Sequence, residues 1–234
     1  MGGGKAGTVT DLRHGHWADV LADVEHVDTW ISDPPYSERT HAAVDPTGTR
    51  SAIPYAPIDE SEIQRIVDSW SPRTRGWFVV FSDHVQQPWW ERALASAGRY
   101  VFAPIPIVDV GMGVRLTGDG PSSWTVWLTV ARPRSRAYST WGTLPGAYLR
   151  GEGDERSPHR GGKPLGVMRS IIRDYSRPGD VVCDPFAGGG TTLLAAAIEH
   201  RYAIGSEIDA DTHAKATERI AAGYTPCLFG GARG

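Results

Sequence analysis

Asp184-Pro185-Phe186-Ala187-Gly188-Gly189-Gly190-Thr191-Thr192 follows a very short apolar run, Asp180 to Cys183, and leads into an Ala/Leu-rich segment, Thr192 to Arg201. Strand, glycine turn and helix in that order form the unit from which doubly wound α/β sheets are built, and the turn is where such sheets bind nucleotide-like ligands. Gly188 and Gly190 carry no side chain to keep a ligand off the backbone, and Thr191 and Thr192 are expected to cap the helix. Glu207 lies seventeen residues beyond Gly190, at the end of the next apolar run, in Gly205-Ser206-Glu207-Ile208-Asp209. A carboxylate there suits the two hydroxyls of a ribose. No Lys follows the glycines as in a Walker A loop, and Leu193 stands where a dinucleotide fingerprint has its third glycine. The acids Asp184 and Glu207 would repel a pyrophosphate and welcome a cationic nucleoside, of which S-adenosylmethionine is one. A glycine turn without a ligand is the other reading.

A second motif lies near the other end of the chain. Val27 to Ser32 reads as a buried strand stopped by Asp33-Pro34-Pro35-Tyr36, because proline cannot continue a central ladder. The motif should therefore stand at the carboxyl edge of the sheet, where ligands bind. The Asp33 carboxylate and the Pro34 carbonyl are two acceptors suited to the two N–H bonds of an exocyclic amine. Pro35 stiffens the turn, and Tyr36 supplies a flat face for a base. Asp-Pro-Pro also serves as an ordinary turn.

Elsewhere, strands alternate with helices. Helices are predicted over Val20–Val27, Asp59–Trp70, Gln87–Ala97, from Pro164 to Tyr175, and over Asp211–Ala222. Strands are predicted over Gly76–Ser82, Tyr100–Val110, Trp124–Val130 and Tyr202–Ser206. The apolar residues Ile63, Ile66, Val67 and Trp70 share one face of their helix, as do Leu165, Met168, Ile171, Ile172 and Tyr175 of theirs. Only a glycine-rich turn separates the Tyr100 and Trp124 strands, so they should be antiparallel. The fold class is α/β, a doubly wound, mostly parallel sheet with one antiparallel strand. All 234 residues are expected to form one domain, with residues 37–58 a long loop after Tyr36 and residues 131–163 an irregular, DNA-contacting or target-recognition segment set in it.

The two motifs together resemble the amino-group DNA methyltransferases, which make N6-methyladenine or N4-methylcytosine. Asp33-Pro34-Pro35-Tyr36 matches the family's catalytic tetrapeptide. The stretch from Asp184 to Thr192, with Phe186, Ala187, Gly188 and Gly190, matches its S-adenosylmethionine loop, and Glu207-Ile208-Asp209 its ribose-binding acid motif. Ser157-Pro158-His159 with Lys163-Pro164-Leu165 resembles the motif that precedes the cofactor loop, with looser spacing around Gly161-Gly162; it implies that His159 and Lys163 contact the cofactor. The catalytic motif precedes the cofactor motif, the circularly permuted order of the β class. The resemblance implies a Rossmann-like sheet with its strands ordered Val9, Tyr202, Asp180, Val27, Gly76, Trp124, Tyr100. It also implies S-adenosylmethionine as cofactor, DNA as partner and a protein of the restriction–modification kind. Asp at the first motif position leans toward adenine, with N4-cytosine the alternative. A catalytically silent Rossmann module, and RNA or protein glutamine methylation, are further readings; the intact Asp33 and Tyr36 speak against the silent one.

Composition agrees with a globular chain: 40% hydrophobic and 22% charged residues. No apolar run spans a membrane, and Met1-Gly2-Gly3-Gly4-Lys5 lacks the apolar stretch of a secretory signal. Two cysteines, Cys183 and Cys227, make neither a disulfide framework nor a zinc site unaided, so a cytoplasmic protein without a metal is expected. Net charge is −3, yet Arg132 to Arg173 holds nine basic residues against three acids. That stretch is expected to grip phosphates, or else to be a solvated arginine-rich loop. Arg39, His41 and Arg50 are candidates for DNA contact and His84 for the site wall. Trp89, Trp90, Trp124 and Trp127 are expected in the core. A homodimer that shares recognition, a short target site and relaxed specificity all fit segments this short.

Overall fold

A computed structural model describes residues 10–40, 56–110, 123–134, 139–150, 154 and 162–223. His41, Arg50, Arg136 and His159 therefore lie outside the described residues, as do the glycine-rich turn after Val110 and Cys227. In chain order the elements are β1 (Thr10–His14), α1 (Trp17–Val20), β2 (Thr29–Ser32), α2 (Glu60–Trp70), β3 (Phe78–Ser82), α3 (Gln87–Ser96), β4 (Arg99–Val101), β5 (Ile105–Val108), β6 (Thr125–Pro133), a 3-10 turn (Ser139–Trp141), β7 (Tyr148–Leu149), α4 (Leu165–Tyr175), β8 (Val181–Asp184), α5 (Thr191–Ile198), β9 (Tyr202–Glu207) and α6 (Ala210–Ala222).

The strands form one nine-stranded sheet in the order β1-β9-β8-β2-β3-β6-β5-β7, with β4 also paired to β6. For the seven predicted strands this is the expected order. Strand β6 alone runs against its neighbours, antiparallel to β3, β4 and β5. Alternation along the central strands separates two cores. Trp30, Phe78 and Val80 face α2 and α3, whose Ile63, Ile66, Val67, Trp70, Trp90 and Leu94 are buried. Ile31, Val79 and Phe81 face α4 and α5 on the other side. Trp30 stacks on Phe78 across the β2–β3 ladder at 4.1 Å, burying two large apolar faces where the sheet is covered on both sides.

Several boundaries differ from expectation. The first helix starts at Trp17, where the His16 side chain accepts a hydrogen bond from the Ala18 amide and caps it, and it ends at Val20. The Tyr100–Val110 run is broken into β4 and β5, which pair with different parts of β6; Pro104 withholds a ladder donor between them. The irregular 131–163 stretch contributes β7, a two-residue strand parallel to β5. Trp90 is fully buried, but Trp124 is 42% exposed and so lies outside the core. No helix among the described residues is long and apolar enough to cross a membrane.

Candidate functional site

Strands β8, β2 and β3 are parallel neighbours, so the segments leaving them meet at one edge of the sheet. Asp184 ends β8, Asp33 follows β2, and Asp83 follows β3. Asp184 is fully buried and accepts hydrogen bonds from the Ser32 hydroxyl at 2.5 Å and the Phe186 amide at 3.1 Å; the Thr192 hydroxyl is a further donor. Its carboxyl is pushed up to about 6, chiefly by burial, with the Asp33 charge adding to the rise and the three donors opposing it. Asp184 thus joins the residue before Asp33 to the glycine loop, and it reaches solvent through neither oxygen.

The glycine loop is held from both sides. Gly190 is left-handed at φ 73°, and a Cβ there would meet Ile220 of α6 at 3.0 Å and Ala216 at 3.3 Å. Gly190 itself occupies the N-cap position of α5 without a side-chain bond, so the expected threonine caps are absent. The Thr192 hydroxyl goes to Asp184, and the Thr191 hydroxyl accepts from Arg219 of α6 at 2.8 Å, whose guanidinium also reaches the Gly189 carbonyl at 2.8 Å. Ala187 is buried and Phe186 half-buried, its ring packed with the α2–α3 core.

Glu207 closes the other side of the loop. Its Oε2 accepts from the Gly188 amide at 2.9 Å and its Oε1 from the Asp209 amide at 2.8 Å. Each oxygen has a lone pair left, so the carboxylate can accept from two vicinal hydroxyls without releasing the loop. Ile208 is 56% exposed beside it and offers an apolar face. The Asp209 side chain caps α6 by accepting from the Thr212 amide, a structural use that its place in the acid motif does not reveal.

At the tetrapeptide, the Tyr36 hydroxyl donates to Asp33 Oδ1 at 2.9 Å. Lys163 donates to Asp33 Oδ2 and holds its ammonium 5.2 Å from the centre of the Tyr36 ring. The structure thus places Lys163 on the tetrapeptide. Pro34 is buried and Pro35 half-buried. Asp83 and Gln86, which sequence reading passed over, bind the backbone on either side of Tyr36. His84 is exposed.

The basic stretch is not one surface. Because β6 is antiparallel to β3, with Ser82 opposite Trp127 and Phe78 opposite Ala131, Arg132 and Arg134 emerge at the edge opposite Asp33. There their guanidiniums lie over Tyr100, at 4.9 and 5.7 Å. Arg169 and Arg173 pair with Glu199, and Arg150 pairs with Asp109. Of the basic side chains described in this stretch, Arg150 and Lys163 lie toward the edge that carries Asp33. A single phosphate-gripping face from Arg132 to Arg173 is therefore not what the fold builds.

An open sheet with a glycine loop, an acid after the next strand and Asp-Pro-Pro-Tyr on the neighbouring strand defines a permuted Rossmann-like protein with both motifs at one edge of the sheet. Residues 124–218 match the family model for N6/N4 methyltransferases, described as DNA methylase, which supports the resemblance to the amino-group DNA methyltransferases. It is 34% identical over 76 residues to the type II methyltransferase M.HindIII of Haemophilus influenzae (32% of this chain, 25% of that protein). It is 43% identical over 58 residues to the DNA adenine methyltransferase YhdJ of Escherichia coli (25% of this chain, 20% of that protein). The matched segments thus span about a quarter or less of these relatives' length. Among solved structures, the M1.HpyAVI–SAM complex superposes with TM-score 0.69 at 22% identity, covering 91% of this chain and 99% of that one. The cytosine-N4-specific PvuII DNA methyltransferase does so with TM-score 0.66 at 14% identity, covering 95% and 88%.

Proposed function

We propose that the chain transfers a methyl group from S-adenosylmethionine to the exocyclic N6 amine of adenine in DNA. The observation that carries this reading is the joining of Ser32, the residue before Asp33, to the glycine loop through buried Asp184. The residues present fit the cofactor. Glu207 keeps free lone pairs for ribose hydroxyls, Gly188 and Gly190 leave the backbone open, and Asp184 with Asp33 provides negative charge for a sulfonium. Lys163, and His159 by its motif, are proposed to meet the cofactor's carboxylate. The adenine methyltransferase YhdJ among the relatives supports adenine as target; the likeness to the cytosine-N4-specific PvuII enzyme supports N4-cytosine as a second reading.

When bound, the cofactor supplies an already activated methyl. An exocyclic amine is a weak nucleophile because its lone pair is delocalised into the ring. Asp33 and the Pro34 carbonyl accept its two N–H bonds, which favours a more tetrahedral nitrogen and directs its lone pair outward. Tyr36 stacks on the extruded base, an interaction worth ~1–3 kcal/mol that offsets part of the cost of unstacking. Positioning and fixed electrostatics carry the rate. Because Lys163 holds the carboxylate oxygen and the ring face that a base would take, it must withdraw as the target enters. Residues 37–58 and the part of 131–163 at the Asp33 edge are proposed to contact DNA, and a homodimer sharing recognition fits their shortness. Mass spectrometry of nucleosides from DNA treated with enzyme and labelled cofactor tests the reading: N6-methyladenine is expected, N4-methylcytosine selects the second reading, and no labelled nucleoside overturns both.

A further inference from the structure

We infer that Asp83 and Gln86, at the corner between β3 and α3, are positioning residues that set the Tyr36 ring for the target base. The inference rests on the reading of Tyr36 as the stacking face.

Asp83 is 6% exposed and carries five donors. Its Oδ2 accepts from the Ser37 amide at 3.0 Å and from the hydroxyls of Ser37 and Thr40, each at 2.5 Å. Its Oδ1 accepts from the amides of Val85 at 2.9 Å and Gln86 at 2.8 Å. The second pair shapes the corner itself, and the first three reach across to the segment that follows Tyr36. Gln86 is fully buried, and its Nε2 donates to the carbonyls of Pro35 and Ile58, each at 3.1 Å.

The pairing has a specific geometry. The Pro35 carbonyl belongs to the peptide plane that enters Tyr36, and the Ser37 amide belongs to the plane that leaves it. A residue's two soft dihedrals lie between those planes. Fixing both planes from one corner fixes the Tyr36 backbone, and with it the direction of Cβ. The side chain itself is only half-buried, so packing alone leaves the ring freer than the peptide bonds do. The Tyr36 hydroxyl bond to Asp33 then sets the far end of the ring. Burial on its own would raise the Asp83 carboxyl, but the hydrogen bonds from Ser37, Thr40 and Gln86 outweigh it and hold the group below its ordinary value. The corner therefore stays anionic, as a clamp for three donors requires.

A double-mutant cycle on the full chain tests the inference. Gln86→Leu removes both donated bonds at similar volume, and turnover should fall about tenfold while cofactor affinity by calorimetry stays within about twofold, since a displaced ring costs the step that aligns the base. Placed on Tyr36→Ala, the same change should cost little more, because residues acting through one another do not add. Equal turnover losses in the two backgrounds, or wild-type turnover in Gln86→Leu, would overturn the role. Should Gln86→Leu fail to fold, as judged by thermal melting, Ser37→Ala enters the same cycle with a smaller loss expected and the same criterion of non-additivity. A Tyr36→Ala variant with wild-type turnover would instead overturn the stacking reading itself, so the two failures are distinguishable.

Discussion

The ammonium of Lys163 is bonded to Oδ2 of Asp33, with the lysine side chain 11% exposed and the aspartate 22%. Removing one partner of so sheltered a pair leaves the other charge uncompensated. Asp33→Ala is therefore expected to lower stability as well as to abolish methyl transfer, while the cofactor still binds. Asp33→Ala with Lys163→Met should recover most of that stability and none of the activity. Thermal melts of the two single variants and the double should show a coupling of roughly 1–3 kcal/mol; additive melts would mean that the pair is not formed in solution.

Glu207 holds the loop and is proposed to hold its ligand as well. Glu207→Ala removes the acceptor of the Gly188 amide as well as the proposed ribose bonds, a loss of roughly 2–4 kcal/mol in cofactor binding. Calorimetry should show the loss, and Arg219→Ala, which frees the Gly189 carbonyl and the Thr191 hydroxyl from their donor, should weaken the cofactor in the same direction by about tenfold. Unchanged affinity in Glu207→Ala would remove the acid from the site.

What the sequence carried was punctuation. Asp33-Pro34-Pro35 and the glycines after Asp184 mark strand ends, and chain order then places both motifs at one edge. Contacts between distant residues left no such mark. Asp83 binds Ser37 across 46 positions, Gln86 binds Pro35 across 51, and Arg219 meets Thr191 across 28. The threonines after Gly190 looked like caps because local propensity favours that use, but Asp184 and Arg219 take their hydroxyls. The place of Lys163 in the motif before the glycine loop gave no sign that its ammonium bonds the Asp33 carboxylate. Charge counted along the chain merged Arg132 and Arg134, which β6 by running backwards delivers to the far edge, with Arg150 and Lys163 toward the Asp33 edge.

Asp184 is expected to make cofactor binding depend on pH. Its folded value of about 6 lies above the ordinary 3.8, so the folded chain holds a proton there that the unfolded chain releases. Its contribution to stability is full below about 4 and lost as pH rises through about 6. A cation bound beside Asp184 favours the ionised form and releases that proton, so affinity for S-adenosylmethionine should rise between pH 5 and about 7. S-adenosylhomocysteine, which lacks the sulfonium charge, should show a weaker rise. Calorimetry of both ligands across this range checks it; parallel pH dependences would mean that the sulfonium does not sense Asp184.

DNA affinity should depend little on the arginines that the linear charge count singled out. Arg132 and Arg134 lie over Tyr100 at the edge opposite Asp33, so duplex DNA offering a base to Asp33 does not pass near them. Arg39, exposed three residues after Tyr36, stands at the correct edge. Counterion release contributes a slope of about −0.9 in log affinity against log salt for each phosphate neutralised. Reversing Arg132 and Arg134 to Glu should leave that slope within experimental error of wild type, whereas Arg39→Glu should flatten it by about one and lower affinity on all sequences alike, since phosphate contacts position without reading bases. A salt titration of the three proteins decides the matter. A flattened slope in the Arg132/Arg134 variant would mean that DNA wraps to the far edge of the sheet, and an unchanged slope in Arg39→Glu would remove the segment after Tyr36 from the phosphate-binding surface.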